Sequence, residues 1–427
     1  MSRTLPRMRG SMVARTLRFT LNPDGFFADA HRRYGDMFTL DVLGQQWVAV
    51  AHPDAVKELL SYGPEEVDSG AANQALSPML GTRNLLLLDR EEHLHRRRLV
   101  LPPFHGERMR AYEDLIRAAI REEVGAWPLG LPTEALPRMQ ALTFGVIMSC
   151  VFGVGESERM GEMGDTLRGM VSWVTELRRV AFFFLIGPQR LNRVPAFRRQ
   201  VERVDREIFA EIASRRAIGD LSGREDILSL LIQAVDEDGE HLTDEELRDE
   251  LMTLLLAGHE TTATLLAWAI HDLARDRVSQ DRLADEGGAF CDAVVTETLR
   301  LHPPTGGLAR RLRKPLTIGG YELPVGTDVV PVTLLVHRRP DIYPDPWTFK
   351  PTRFLDTRPS TGEWFPFGGS VRRCIGASFA QFEAKIVLEE LTKALVLSPV
   401  EQRPERTGRR AIVLTPSKGA RVVAQRR

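Results

Sequence analysis

Phe365-Pro366-Phe367-Gly368-Gly369-Ser370-Val371-Arg372-Arg373-Cys374-Ile375-Gly376 is a glycine-punctuated loop that carries one cysteine to the start of an amphipathic helix. The spacing predicts that helix from Ala377 to about Thr392, with Phe379, Phe382, Ile386, Val387 and Leu388 on its apolar side. A thiol at a helix start, preceded by two arginines, is biased toward thiolate by the helix N-terminus and by both cations. Thiolate is a strong soft metal ligand, whereas a free cysteine elsewhere is often a small apolar filler. The ordered set of Phe, Arg and Gly around this sulfur is more than a packing residue needs.

The order Phe367, Gly368, Arg372, Cys374, Gly376 resembles the haem-ligand loop of the cytochrome P450 family. The resemblance implies that Cys374 holds the iron of haem b (iron protoporphyrin IX), that Phe367 offers the porphyrin a flat face, and that Arg372 binds a propionate. One position departs. The family has glycine four residues before the cysteine, explained by a left-handed backbone, and here it is Ser370, which tolerates that conformation less well.

The chain has 427 residues, 43% of them hydrophobic, and no Pro/Gly/Ser-rich linker, repeat or low-complexity tract divides it. A formal charge of −1 argues against a nucleic-acid binder that works by a global basic field. Three widely spaced cysteines, Cys150, Cys291 and Cys374, exclude a disulfide framework and have no zinc-type spacing, which fits a reducing compartment. No stretch reaches the roughly 18 consecutive apolar residues of a membrane span, and the longest apolar run covers residues 180–187. The first twenty residues are rich in arginine and lack acids, as in a transit peptide, yet helical sequence begins at Pro23. The expectation is a cytoplasmic protein without a membrane anchor.

Organisation follows the hydrophobic period. After an N-terminal arm over residues 1–25, Phe26 to Tyr34 reads as a helix, and Met37 to Val42 and Trp47 to Val50 as a hairpin. Residues 63–88 look loop-like, and residues 91–301 are almost wholly helical in period. Short strands are expected at Leu316 to Ile318 and Val329 to Val332, with a final hairpin from Ala411 to Val423. This pattern is mainly α with small β regions. It matches the single-domain cytochrome P450 fold, expected over residues 26–427.

Thr243-Asp244-Glu245-Glu246 is a capping box, followed by about thirty residues of helical period, roughly 45 Å. At its middle lies Ala257-Gly258-His259-Glu260-Thr261-Thr262. A mid-helix glycine costs about 1 kcal/mol against alanine. Taken alone it is either tolerated or there to let a flat cofactor, substrate or diatomic molecule approach the backbone at Ala257 and Gly258. A threonine hydroxyl can bond the carbonyl four residues back, and an adjacent acid can pass protons. The segment resembles the family's oxygen-binding motif, which implies that Thr261 faces dioxygen, that Glu260 serves the proton relay, and that His259 is an ordinary polar residue.

Glu297 and Arg300 share a helix face and alone read as a surface ion pair. The family resemblance makes them a buried structural pair joined by Arg353. His93 and Arg97, at i and i+4, suit a shared carboxylate. By the resemblance they bind haem propionates, as does Arg310, although Arg311 adjoins it. Arg96, Arg98 and Arg373 are expected to add a basic patch that steers an acidic electron donor.

The resemblance implies a haem-thiolate monooxygenase that inserts one oxygen atom from O2 into a C–H bond. No flavin or nicotinamide motif appears, so ferredoxin and ferredoxin reductase are the implied electron donors. Residues 63–88, 171–187, 254–262 and 305–308 are the expected pocket walls. Their apolar content predicts a lipophilic substrate such as a terpenoid, fatty acid or steroid. Two alternatives are a peroxide-driven haem hydroxylase, disfavoured by Glu260-Thr261, and a non-enzymatic haem sensor or carrier.

Overall fold

The computed structural model describes residues 4–42, 44–106, 108–153, 158–175 and 188–427. The expected apolar run at 180–187, with Phe182 to Phe184, lies outside them. The chain packs as two compact units. One comprises Met1–Asp68, Glu113–Thr143 and Glu260–Arg427, the other Ser69–Tyr112 and Phe144–His259.

Among the described residues, the sheets all lie in the first unit. β1 (Met37–Val42) and β2 (Gln45–Val50) pair antiparallel, with Met37 opposite Val50. β8 (Asp328–Pro331) joins β2 in parallel, and β5 (Arg310–Leu312) and β3 (Val67–Asp68) complete the order β1-β2-β8-β5-β3. The inward residues of this sheet meet Phe26, Phe27, Leu59 and Phe365 in one apolar cluster. β4 (Pro132–Glu134), β12 (Arg421–Arg426) and β9 (Leu395–Pro399) make a second sheet, and β6 (Leu316–Ile318) pairs with β7 (Tyr321–Leu323).

Two expectations change. The tail is not one hairpin over 411–423. β10 (Thr407–Arg410) pairs with β11 (Val413–Pro416), and β12 leaves for the second sheet. Gly419 and Ala420, at φ +77° and +56°, turn the chain between them. The N-terminal arm contains a helix, α1 (Met12–Leu21), and α2 (Pro23–Tyr34) starts earlier than its apolar residues indicate. Asn22 separates the two: its side chain accepts from Gly25 N–H, and Pro23 opens α2 with a ring already set for helix. α1 escapes sequence reading because Ser11, its N-cap, makes no side-chain cap bond.

In the second unit, Phe197, Val204, Ile208 and Ile212 form the buried stripe of the helix Pro195–Arg216. Arg215, also buried on it, donates to Ser229 Oγ (2.6 Å) and Phe152 O (2.7 Å) and pairs with Asp226. The region 63–88 is less loop-like than expected, with a 3-10 turn at Ala71–Leu76 and a helical turn at Ser77–Leu80.

The long helix runs unbroken over Asp244–Arg275, 32 residues. Its capping box is made: Thr243 N–H donates to Glu246 Oε2 (2.9 Å) and Glu246 N–H to Thr243 Oγ1 (3.2 Å). The helix Ala135–Phe152 is long and apolar enough to cross a bilayer, which the residue count did not anticipate. It is 67% buried within the protein, as a core helix is.

The helix after the cysteine, Ala377–Ala394, buries Phe379, Ile386, Val387 and Leu388 as the spacing predicts, while Phe382 is half-buried. It also buries Glu383, whose Oε1 has no hydrogen-bond partner. Burial pushes this carboxyl up to about 8. The unfolded chain releases that proton near the ordinary carboxyl value and the folded chain holds it to about 8. Stability present at acid pH is therefore lost as pH rises through this window. Glu383→Gln should flatten the dependence. The Tm gained by the variant over wild type should be larger at about pH 8 than at about pH 5, and an equal difference at both would show the carboxyl is ionised throughout.

Candidate active site

The cysteine loop is folded by its own backbone. Gly368 N–H donates to Phe365 O (3.0 Å), Arg373 N–H to Ser370 O (3.0 Å), and Cys374 N–H to Phe367 O (2.8 Å). Phe367 and Cys374 are thus fixed to each other across the loop. Ser370 has φ +54°, the left-handed backbone that explains the family's glycine. Cys374 is exposed whereas Cys150 and Cys291 are buried, and burial pushes the Cys291 thiol far up. One sulfur is presented and two are packing. The helix proper begins at Ala377 with Gly376 as N-cap, so Cys374 precedes the first turn and its coupling to the helix dipole is weaker than the sequence implied.

The loop hangs from a buried charge network. Arg300 donates to both oxygens of Glu297, Nε to Oε2 at 2.6 Å and Nη2 to Oε1 at 2.9 Å, and neither side chain has accessible surface. Arg353 Nε reaches Glu297 Oε1 at 3.0 Å, and Lys350 N–H donates to the same oxygen at 2.8 Å. Arg300 Nη1 donates to His337 O (2.8 Å), and the His337 ring accepts from Phe365 N–H at Nε2 (3.0 Å). Burial and the Arg300 charge push His337 down to about 3, so its ring is neutral, as an Nε2 acceptor requires. His337 is therefore the relay from the ion network to the first residue of the loop. Its position, 37 residues from Arg300, left no local signal in the sequence.

Cations gather beside the loop. Arg310 is buried in β5, and its Nη2 lies 3.5 Å from Gly369 O. Burial and the charge of Arg372 push it down to about 10. Two guanidiniums that repel one another near a presented thiol fit a ligand bearing carboxylates. Arg311 points elsewhere and pairs with Asp328 at 2.8 and 2.9 Å, so the structure distinguishes the two neighbours.

On the long helix, Ala257 is exposed and Gly258 and Thr261 are half-buried, whereas Leu255, His259, Glu260 and Thr262 are buried. Positions 257, 258 and 261 share one helix face. His259 packs edge-on against Phe144 (5.4 Å) and is no surface polar residue. Glu260 accepts from Gln140 Nε2 at 3.1 and 2.9 Å, and Arg410 Nε lies 3.9 Å from its Oε1. Gln140 and Arg410 were missed by sequence reasoning, since they come from 120 residues before and 150 residues after the acid.

In the second unit, His93 (buried) and Arg97 (half-buried) lie on the helix Arg90–Val100. Asp89 ahead of them accepts from Ser69, Gly70 and Ala71 N–H, each at 2.8 Å. The expected basic patch does not include Arg96 and Arg98 as free charges. Arg96 is buried against Glu246 and Glu250, and Arg98 pairs with Glu237 at 2.5 Å. Arg373 is exposed.

Among the described residues no three His, Cys, Asp or Glu side chains come together to hold a metal ion. An exposed thiol, an adjacent aromatic face and a pair of cations fit a flat cofactor bearing carboxylates.

Two substitutions test this construction. Ser370→Gly relieves the left-handed strain and should stabilise the fold by about 0.5–1 kcal/mol in denaturant unfolding. Arg300→Ala strands Glu297 and should cost about 3–5 kcal/mol, with haem incorporation lost.

A family model described as Cytochrome P450 matches residues 8–423. The chain is 37% identical to cytochrome P450 135B1 of Mycobacterium tuberculosis, covering 98% of this chain and 90% of the relative. It is also 37% identical to cytochrome P450 137 of the same organism, covering 92% and 83%. A retinoic acid-bound cyanobacterial structure, CYP120A1, superposes with TM-score 0.85 over 100% of both chains at 23% identity. The exposed sulfur, its ion-anchored loop and the acid–alcohol helix thus stand in a fold shared with these proteins, and the chain belongs to the cytochrome P450 family as a bacterial haem-thiolate monooxygenase.

Proposed function

We propose that this monooxygenase hydroxylates a C–H bond of a lipophilic small molecule, a terpenoid, fatty acid or steroid, in the cytoplasm, with electrons from a ferredoxin and its reductase. Residues 26–427 act as one catalytic domain behind the 1–25 arm. The observation that carries the reading is the pairing of a buried, doubly hydrogen-bonded Glu260 with an accessible Thr261 next to it.

In this reading Cys374 would ligate haem b, Phe367 would face it, and Arg372, Arg310, His93 and Arg97 would hold its carboxylates. Bound haem would supply the dioxygen-activating chemistry, with electron donation from the Cys374 thiolate. Thr261 orients a proton at its Oγ1, and Glu260 replenishes it. Gln140 and Arg410 keep the Glu260 carboxylate in place, and it must turn from Gln140 to deliver. Ala257 and Gly258 leave room beside Thr261 for substrate. Leu85 and Leu87, buried, and Leu86 and Leu88, half-buried, supply apolar wall, which suits an apolar substrate.

Thr261→Ala should lower product formed per reductant consumed by roughly 10²-fold while reductant consumption continues. Unchanged coupling would remove Thr261 from the relay. Titration with terpenoids, fatty acids and steroids should shift the spin state of the haem band. A shift with amino acids or sugars and none with lipids would overturn the substrate class.

A further inference from the structure

α1 has two apolar sides. Phe19 is turned inward, beneath Arg409, whose Cζ lies 4.2 Å from the ring centre. The outward side is apolar as well: Val13, Leu17 and Leu21, at i, i+4 and i+8, are 72%, 57% and 65% exposed. An outward row of three large aliphatic side chains is unusual on a helix whose other face is already buried.

Arg15 anchors the helix in this attitude. Arg15 Nε donates to Asp41 O (3.0 Å), and its Nη1 donates to Met8 O (3.0 Å) and Gly10 O (2.8 Å). These bonds tie the helix start to β1. The surroundings are basic. Residues 4–22 contain Arg7, Arg9, Arg15 and Arg18 and no acid. Asp41 is shared by Arg7 and Arg15, and Asp29 by Arg18 and Arg32, so each neighbouring carboxylate answers two guanidiniums. Asp24 and Asp36 are engaged by Arg338 and Arg339.

We infer that α1 is a docking face for an anionic lipid bilayer, on which Val13, Leu17 and Leu21 enter the acyl boundary while Arg9 and Arg18 meet headgroup phosphates. Interfacial helices combine these features: an apolar stripe, flanking arginines and a lying orientation. A protein partner fits less well. One face of a ten-residue helix, about 15 Å long and about 10 Å wide, offers on the order of 150 Å², far short of the roughly 800 Å² per partner of a stable interface. The inference is independent of the substrate proposed above.

The haem-loaded full chain is tested by co-sedimentation with vesicles of phosphatidylcholine alone or with about one-third phosphatidylglycerol. Wild type should pellet with the anionic vesicles and lose binding as salt rises. Leu17→Glu/Leu21→Glu should weaken partitioning at least about tenfold, and Arg9→Gln/Arg18→Gln should reduce it on the order of tenfold, toward the zwitterionic level. The carbon monoxide spectrum of each variant should match wild type. Wild type left in the supernatant with anionic vesicles, or Leu17→Glu/Leu21→Glu pelleting as wild type does, would overturn the inference. So would a lipid-free dimer that this double variant dissociates, because the stripe would then join two copies of the chain.

Discussion

The carboxylate of Glu297 has no contact with solvent and answers three donors, Arg300, Arg353 and the Lys350 amide. Removing such a charge from water is expensive, and it is tolerated only where every lone pair is used. The return on that cost is positional. Arg300 fixes the His337 carbonyl, the neutral His337 ring fixes the Phe365 amide, and from Phe365 the loop's own backbone bonds carry the chain to an exposed Cys374. The sulfur is thus held by a chain of hydrogen bonds that begins at a buried ion.

Electrostatics then divide the labour around the loop. Arg310 and Arg372 raise the local positive potential, and burial first and the Arg372 charge second push Arg310 down to about 10. An anionic cofactor edge would relieve this repulsion. Glu260 shows the opposite design: Gln140 donates to both oxygens of a buried acid and the Arg410 charge lies 3.9 Å away, so the carboxyl has a set orientation.

Much of this was legible in the chain because it is local. The capping box of the long helix, the buried stripe after Cys374 and the Glu297–Arg300 pair are all set by neighbours within one or two turns, where period and spacing apply. The positive φ of Ser370 was signalled by the glycine it replaces. What escaped is long-range or two-sided. Gln140 and Arg410 reach Glu260 from distant segments, Arg96 looks solvent-facing until Glu246 and Glu250 arrive, and Glu383 sits among apolar residues that gave no hint of a buried acid. α1 was hidden because Ser11 gives no cap bond and its apolar row of Val13, Leu17 and Leu21 faces outward while only Phe19 is buried, so its amphipathic signal does not point to the core.

The account stands on thiolate ligation by Cys374 in a correctly folded loop. The most direct test is the carbon monoxide difference spectrum of the reduced, haem-loaded protein, recorded with circular dichroism to verify folding. The account predicts a Soret maximum of the thiolate-ligated type in wild type and its loss in Cys374→Ser with helicity retained. A maximum typical of histidine-ligated haem in folded wild-type protein would contradict it.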